Sequence, residues 1–376
     1  MSVHVNFALS DEQAELRRTV RAFLEQKSPE AEVRRLMDTD EGYDPTVWQQ
    51  MASQLGLQGL AIPEEFGGSG FTMLELGIVL EEMGRVLVCA PFFSTAVLAT
   101  SALLACDDDA ARKALLPGIA AGDTIATLAV LEERGGWSEA DITIQARPSG
   151  DGWTLDGVKS FVIDGLTADT ILVAARAPGG VSLFRVAGDA AGLDRSALVS
   201  LDQTRKLARV AFTDTPAQLI GAEGDGWRVV EAALRVAAVA LANEQVGGAQ
   251  RCMEMSVEYA KTRIQFGRPI GTFQGVKHRC ADMLVQVEMA KSAAYYANSC
   301  LAAGDDDAAV AAPMARSYCS DAYMRITEDT IHVHGGIGFT WEHPAHLYYK
   351  RAKSSRLLLG DPRHYRKLLA RELDLI

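Results

Sequence analysis

Several familiar signatures are missing from this 376-residue chain, and each gap removes a class of explanation. No basic patch interleaved with aromatics occurs, and a net charge of −12 repels polyanions, so no nucleic-acid partner is expected. Anionic cofactors are not excluded by that charge, since they bind through local arginines and helix starts. The six cysteines (Cys89, Cys106, Cys252, Cys280, Cys300, Cys319) are scattered, with no CxxC pair and no closely spaced Cys/His ligand set, and read as reduced thiols. No apolar run is long enough to span a bilayer, and MSVHVNFALSDEQAELRR has no apolar stretch bounded by a cleavage site; a cytoplasmic protein without a membrane span is the expectation. No GxGxxG follows a strand. The nearest glycine cluster, HGGIG at 334–338, ends a helix, which disfavours a Rossmann domain.

What is present is ordinary globular material, 48% hydrophobic and 23% charged, enough for a large core in two or three units. From Ser10, SDEQAELRRTVRAFLEQ sets a capping residue before apolar positions at Leu16, Val20, Phe23 and Leu24, which is helical spacing. Helical character continues through VWQQMASQLGL, breaks at IPEEFGGSG and resumes in MLELGIVLEEMGRVL. Between about 122 and 225 the texture changes to β-branched runs separated by turn signals: TIATLAVLE, DITIQAR, GWTLDGVKSFVID, TILVAAR, VSLFRV and LARVAFTDTP. Long helical stretches return after GAEGDGW. The order helical, β, helical implies segregated layers and not βαβ alternation. It predicts a helical domain over 1–120, a β-sandwich or barrel of roughly seven strands over 121–225, and a helical bundle over 226–376.

Three places could carry chemistry. In RIQFGRPIGTFQ (263–274), Arg263 ends a long helix, Gly267 and Pro269 interrupt it and Gln274 opens the next, a corner able to hold a diphosphate through a guanidinium and free helix-start N–H groups. A structural turn with a solvated Arg accounts for the same residues, because arginine is favoured at helix C-termini anyway. In HVHGGIGFTWEHPAHLYYK, the paired glycines end a helix and let the backbone approach a phosphate or a partner subunit. His332 and His334 point to different sides and His343 and His346 straddle Pro344, so no metal site is expected. Glu244, third, sits in an apolar helix with Ala240, Leu241, Gly247 and Gly248 on its own face. Apolar surroundings disfavour an ionised carboxylate and would suit a working base, but a buried Glu paired with an Arg such as Arg251 is an equal alternative.

With these segments in hand, the chain resembles the acyl-CoA dehydrogenase family over nearly its whole length. The resemblance implies an N-terminal helical domain, a central β-domain and a C-terminal four-helix bundle, assembled as a homo- or hetero-tetramer with FAD at the subunit interface. It implies that Arg263, Phe266 and Gln274 serve a neighbour's FAD, along with Gly335 and Gly336, while His332 replaces the family's Gln. The residues that would grip the chain's own flavin depart from the pattern: VLEERGGWSEAD has Leu131 where the family has Thr, and KSFVIDG has Phe161 and Ile163 where it has Trp and Thr. The usual base is also missing, since LLLGDPRHYRK puts Leu359 in its place. Some members carry the base on the first helix of the C-terminal domain, and Glu244 lies there, as in variants tied to bulky, including steroid-derived, substrates.

If the family chemistry holds, the reaction is α,β-dehydrogenation of an acyl-CoA to the trans-enoyl-CoA, with electrons passed to an electron-transfer flavoprotein. A second possibility is a subunit that completes the FAD site of a different, catalytic chain in an α2β2 tetramer, which explains why the outward-serving residues are kept while those at 131, 161 and 163 are replaced. A flavin oxidase or monooxygenase on the same fold is a third.

Overall fold

A computed structural model describes residues 8–376; the start of the N-terminal reading lies outside the described residues. Helix α1 (Asp11–Lys27) begins where Ser10 predicts: the Ser10 hydroxyl accepts from the Gln13 amide and the Gln13 side chain accepts from the Ser10 amide, a capping box that satisfies two otherwise orphaned donors. It is followed by α2 (Glu30–Met37), α3 (Pro45–Leu55), α4 (Met73–Arg85), a wide helical turn at Phe93–Ala99 that runs into α5 (Thr100–Ala105), and α6 (Asp109–Ala120).

Seven strands come next: β1 (Ala126–Ala129), β2 (Gln145–Ser149), β3 (Gly152–Ile163), β4 (Thr170–Ala177), β5 (Gly180–Ala187), β6 (Leu193–Ala197) and β7 (Leu207–Ile220). Strands β4, β2, β3, β7 and β5 pair in that order and β5 pairs back with β4, which closes a barrel; β1 joins β4 in parallel and β6 joins β7. The β2–β3 hairpin turns at Gly150, in register from Ser149 opposite Gly152. Closure removes the exposed edges that an open sheet would present.

The C-terminal part is helical: α7 (Gly226–Thr262), a small hairpin of β8 (Ile264–Gln265) and β9 (Arg268–Pro269), α8 (Gln274–Ala303), α9 (Ala308–His334), α10 (Ala345–Leu357) and α11 (Pro362–Glu372). No helix among the described residues is long and apolar enough to cross a membrane.

The chain divides into two compact units. One comprises residues up to Val33, Met73–Val88 and Ala238–Ile376; the other comprises Arg34–Thr72 and Cys89–Ala237. In the first, α8, α10 and α11 pack on α9, and α1 and α8 pack on α4. Small residues set the spacing of α4 and α7: a side chain at Gly84 would collide with the Glu244 carbonyl, and one at Gly247 with the Glu81 carbonyl. The glycines near Glu244 thus serve close helix approach. Asn243 and Asn298 exchange amide hydrogen bonds at 2.8 and 2.9 Å, and a side chain at Gly77 would displace them. In the second unit the barrel core is Val, Ile, Leu and Phe, and Trp48 of α3 is fixed by its indole N–H, which donates to the Gly122 carbonyl at 2.8 Å.

Candidate functional site

At the end of α7 the chain turns sharply. Ile264 pairs with Pro269 and Gln265 with Arg268, and the two residues between, Phe266 and Gly267, both have positive φ (53° and 77°). That is the backbone twist two-residue hairpins require, and glycine supplies it without strain where phenylalanine does not. The strained residue is turned outward: Phe266 is 91% exposed, its ring edge-on to Phe273 at 6.0 Å, while the Arg268 guanidinium sits over Phe273 at 4.3 Å. Arg263 and Gln274 are also exposed, and no side chain caps the start of α8. Its first N–H groups thus face outward with the helix dipole behind them, the setting that favours an anion.

The glycine segment is brought to the same place. His334, buried at the end of α9, has Nδ1 2.8 Å from the Thr330 carbonyl, stacks on Tyr259 of α7 at 4.5 Å and meets the tilted ring of His343 at 4.3 Å. Tyr259 lies one turn before Arg263, and His334 directly precedes Gly335, so the stacked rings tie the hairpin to the glycines. This histidine–tyrosine stack was not legible in the sequence, where the histidines raised only the question of a metal. Gly335 has φ 63° and ψ −140°, a conformation that side chains rarely adopt, and a side chain at Gly335 or Gly336 would meet nothing within 4 Å. The backbone there is open to whatever lies beyond. His332 is exposed while His334 is buried, so the two do point apart. No group of three or more potential metal ligands occurs among the described residues.

In the other unit, β3 bulges between Lys159 and Val162, and Phe161 sits in the bulge with φ 54° and its ring half exposed. A bulge re-aims one side chain, and here it presents an aromatic. Leu131 is held from behind, its carbonyl accepting the Ser160 amide at 2.8 Å. Ile163 is in the barrel core, and its carbonyl accepts the Thr127 hydroxyl at 2.6 Å, so its side chain offers no surface to a ligand. Beneath these residues is a buried ion pair: Lys159 donates to Glu132 at 2.9 Å and to the Val130 carbonyl at 2.8 Å, and Glu132 also accepts the Thr143 and Ile144 amides. Burial pushes the Lys159 ammonium down to about 8, against the pull of Glu132.

Glu244 is buried on α7, and its Oε1 lies 2.9 Å from Nη1 of Arg351 on α10, itself buried. The alternative partner, Arg251, is instead half exposed and 4.0 Å from Glu254. The reason is distance: Arg251 is about two turns along α7 from Glu244 and lies three residues from a nearer carboxylate, whereas the Arg351 guanidinium reaches Glu244 from α10. Arg351 escaped notice because YYKRAKSSR reads as a solvated basic face. Tyr323 of α9 brings a buried hydroxyl against Gly248, one turn beyond Glu244. A cavity of about 250 Å³ opens among α1, α4, α7 and α10, further along α7 at Arg251 and Met255, and Glu244 does not line it.

The turn after α10 holds no carboxylate in the place of the usual base. Leu359 is buried with φ 57°, and its carbonyl accepts the Tyr365 hydroxyl at 2.7 Å. Arg316, fully buried, donates to the Ser355 and Leu358 carbonyls at 2.6 and 2.7 Å and caps the end of α10. The turn is firmly built around a residue that cannot take a proton.

Family models for the acyl-CoA dehydrogenase N-terminal and C-terminal domains match residues 10–123 and 224–373. The chain belongs to the acyl-CoA dehydrogenase family. It is 35% identical to the acyl-CoA dehydrogenase IpdE2 of Mycolicibacterium smegmatis over 97% of this chain and 100% of the relative. Among solved structures it is similar to a variant of the Tcur3481-Tcur3483 steroid ACAD (30% identity, TM-score 0.87, 97% of this chain and 98% of that one). The ChsE4-ChsE5 complex from Mycobacterium tuberculosis is also similar (27% identity, TM-score 0.89, 99% and 100% covered). The protein is therefore an oxidoreductase acting on CH–CH bonds, of a family that binds FAD, with the helical, β-barrel, helical architecture of that family. The residues fit FAD unequally. An exposed Arg263, an uncapped helix start and open backbone at Gly335 and Gly336 match a diphosphate, whereas Leu131 and Ile163 bring no hydroxyl and leave Phe161 as the ring available for stacking.

Proposed function

We propose that this acyl-CoA dehydrogenase subunit acts in α,β-dehydrogenation of a bulky, ring-bearing acyl-CoA to its trans-enoyl-CoA, with Glu244 as the base. The observation that carries this is the placement of carboxylates: the turn where the family base would stand holds Leu359, while Glu244 is a buried carboxylate fixed by a cation. Glu244 would take the proton next to the thioester carbonyl. Bound flavin supplies the hydride acceptor, and an electron-transfer flavoprotein would receive the electrons. Arg263, Gln274 and the Gly335–Gly336 backbone would hold diphosphate oxygens, with Phe266 against the ring system. The steroid ACAD named among the relatives supports a ring-bearing substrate.

A second reading concerns whose FAD is held. The intact phosphate-binding side faces outward and the chain's own flavin contacts are reduced, which favours a hetero-tetramer in which this chain completes a partner's site; two of the similar structures are named as two-chain proteins. Purification of the chain alone, with its absorption spectrum, tests this. A yellow, flavin-bearing homotetramer would overturn the partner reading, and a colourless protein that gains FAD on co-expression with a genomic neighbour supports it. In whichever assembly carries flavin, Glu244→Gln is expected to keep the flavin and lose its reduction by acyl-CoA by about a thousandfold. Retained reduction removes Glu244 as the base.

A further inference from the structure

We infer that Arg351 is the positioning residue of the Glu244 site: it holds the carboxylate ionised, and hence able to accept a proton, in a setting that would otherwise protonate it. This rests on the reading of Glu244 as the base. Glu244 and Arg351 have side chains only 8% and 4% exposed, and they meet at 2.9 Å. A carboxylate withdrawn from water favours its neutral form unless an opposite charge stands beside it. A protonated carboxyl cannot serve as base. A guanidinium is suited to preventing this because it does not titrate itself.

Among the described residues, the charged groups of α4 and the next arginine of α7 are engaged elsewhere. On α4, Glu82 is engaged by Arg21 through two hydrogen bonds, Glu81 by Arg17 and Tyr295, and Arg85 is committed to Glu254 through two more, at 3.0 and 2.7 Å. On α7 itself, Arg251 is turned toward Glu254 and the Cys252 thiol is pushed up by burial. Tyr323 on α9 and Tyr348 on α10 are pushed up by burial as well, so both hydroxyls are neutral at pH 7. Among the described residues, Arg351 is a cation paired directly with Glu244, at 2.9 Å. The site is also rigid on its other side, since Gly84 lets the α4 backbone rest against the Glu244 carbonyl. The carboxylate is thus fixed at its backbone by α4 and at its head by α10.

The test uses the full-length protein in its native assembly, first by infrared spectroscopy. Arg351→Met at pH 7 is expected to show the carbonyl stretch of a protonated carboxylic acid, absent from wild type and absent from Arg351→Met/Glu244→Gln. Arg351→Lys, which keeps a cation, is expected not to show it. A folded Arg351→Met without the band overturns the inference; should that variant fail to fold, Arg351→Gln carries the same comparison. The second readout is the pH profile of flavin reduction, with the fastest wild-type substrate from a panel of straight-chain and ring-bearing acyl-CoA esters. For Arg351→Met the rate at pH 7 should drop on the order of a hundredfold and recover as pH rises, because a buried carboxyl freed of its cation titrates roughly two or more units higher. A band with an unmoved pH profile would keep Arg351 as the holder of the charge and remove Glu244 as the base, so the two readings fail separately.

Discussion

Single residues in this chain differ in how openly they declare their use. Gly335 and Gly336, adjacent glycines at a helix end, point to an approached backbone, and the structure distinguishes their conformations. Gly335 needs its conformation, with φ 63°, whereas Gly336 does not have a positive φ and has only open space beside it. Gly336→Val should therefore leave stability within about 0.5 kcal/mol of wild type, as surface substitutions do, while lowering FAD retention in the assembled protein. Thermal unfolding and the ratio of flavin to protein absorbance check the two halves; unchanged retention would mean that no cofactor approaches there. Arg351 was silent by comparison. It is buried in a helix whose sequence suits a wet surface, and only its pairing with Glu244 on α7 accounts for its being turned inward. Periodicity reports which face of a helix is apolar, and an arginine on that face is read as an exception until its partner, a hundred residues away, is known.

Among the elements, helices were legible because they are long and periodic, and most strands because β-branched runs alternate between turn signals. Strand β6 was not: LDRSA is short, mostly polar and largely exposed, and its pairing with β7 supplies what its own side chains lack. DITIQAR was read as one strand, but its first residue ends a short helical turn at Glu139–Asp141 and pairing begins only at Gln145. The helices also carry an ionic ladder that links α1, α4 and α7, from Arg17–Glu81 and Arg21–Glu82 to Arg85–Glu254. Burial pushes the Glu254 carboxyl up, but hydrogen bonds from Arg85 outweigh it and hold the group below the usual carboxylate range. A carboxyl lowered in this way stabilises the fold above its unfolded value of about 4.3, and that contribution is lost as pH falls through the folded value. Glu254→Gln should thus be less stable than wild type at neutral pH, with the gap closing below about pH 4.3. Chemical denaturation across pH measures it, and a gap independent of pH would assign the loss to packing.

At the scale of the whole molecule, the apolar surface left uncovered is as informative as the core. Ile264, Phe266, Val285, Met289, Phe339 and Trp341 are each more than half exposed. Val285 and Met289 are four residues apart and so share one face of α8, at a distance from the hairpin that also exposes Phe266. The segments thought to reach a neighbour's cofactor and the surface that would bury against a neighbour thus lie in the same compact unit. On the proposed function, cofactor retention is joined to assembly: a chain that does not associate would leave Arg263, Gln274 and the glycines with no FAD to serve. Val285→Asp with Met289→Asp puts two carboxylates where an apolar contact would form, while touching neither the folded core nor the residues proposed to meet FAD. The double variant should fold with near-native helical content, sediment as a smaller species than wild type and lose bound flavin in step with assembly. Sedimentation velocity with simultaneous detection of protein and flavin absorbance resolves this. An unchanged assembly would free the α8 face from any interface, and a smaller species that keeps its full complement of flavin would show that the chain holds FAD without a neighbour.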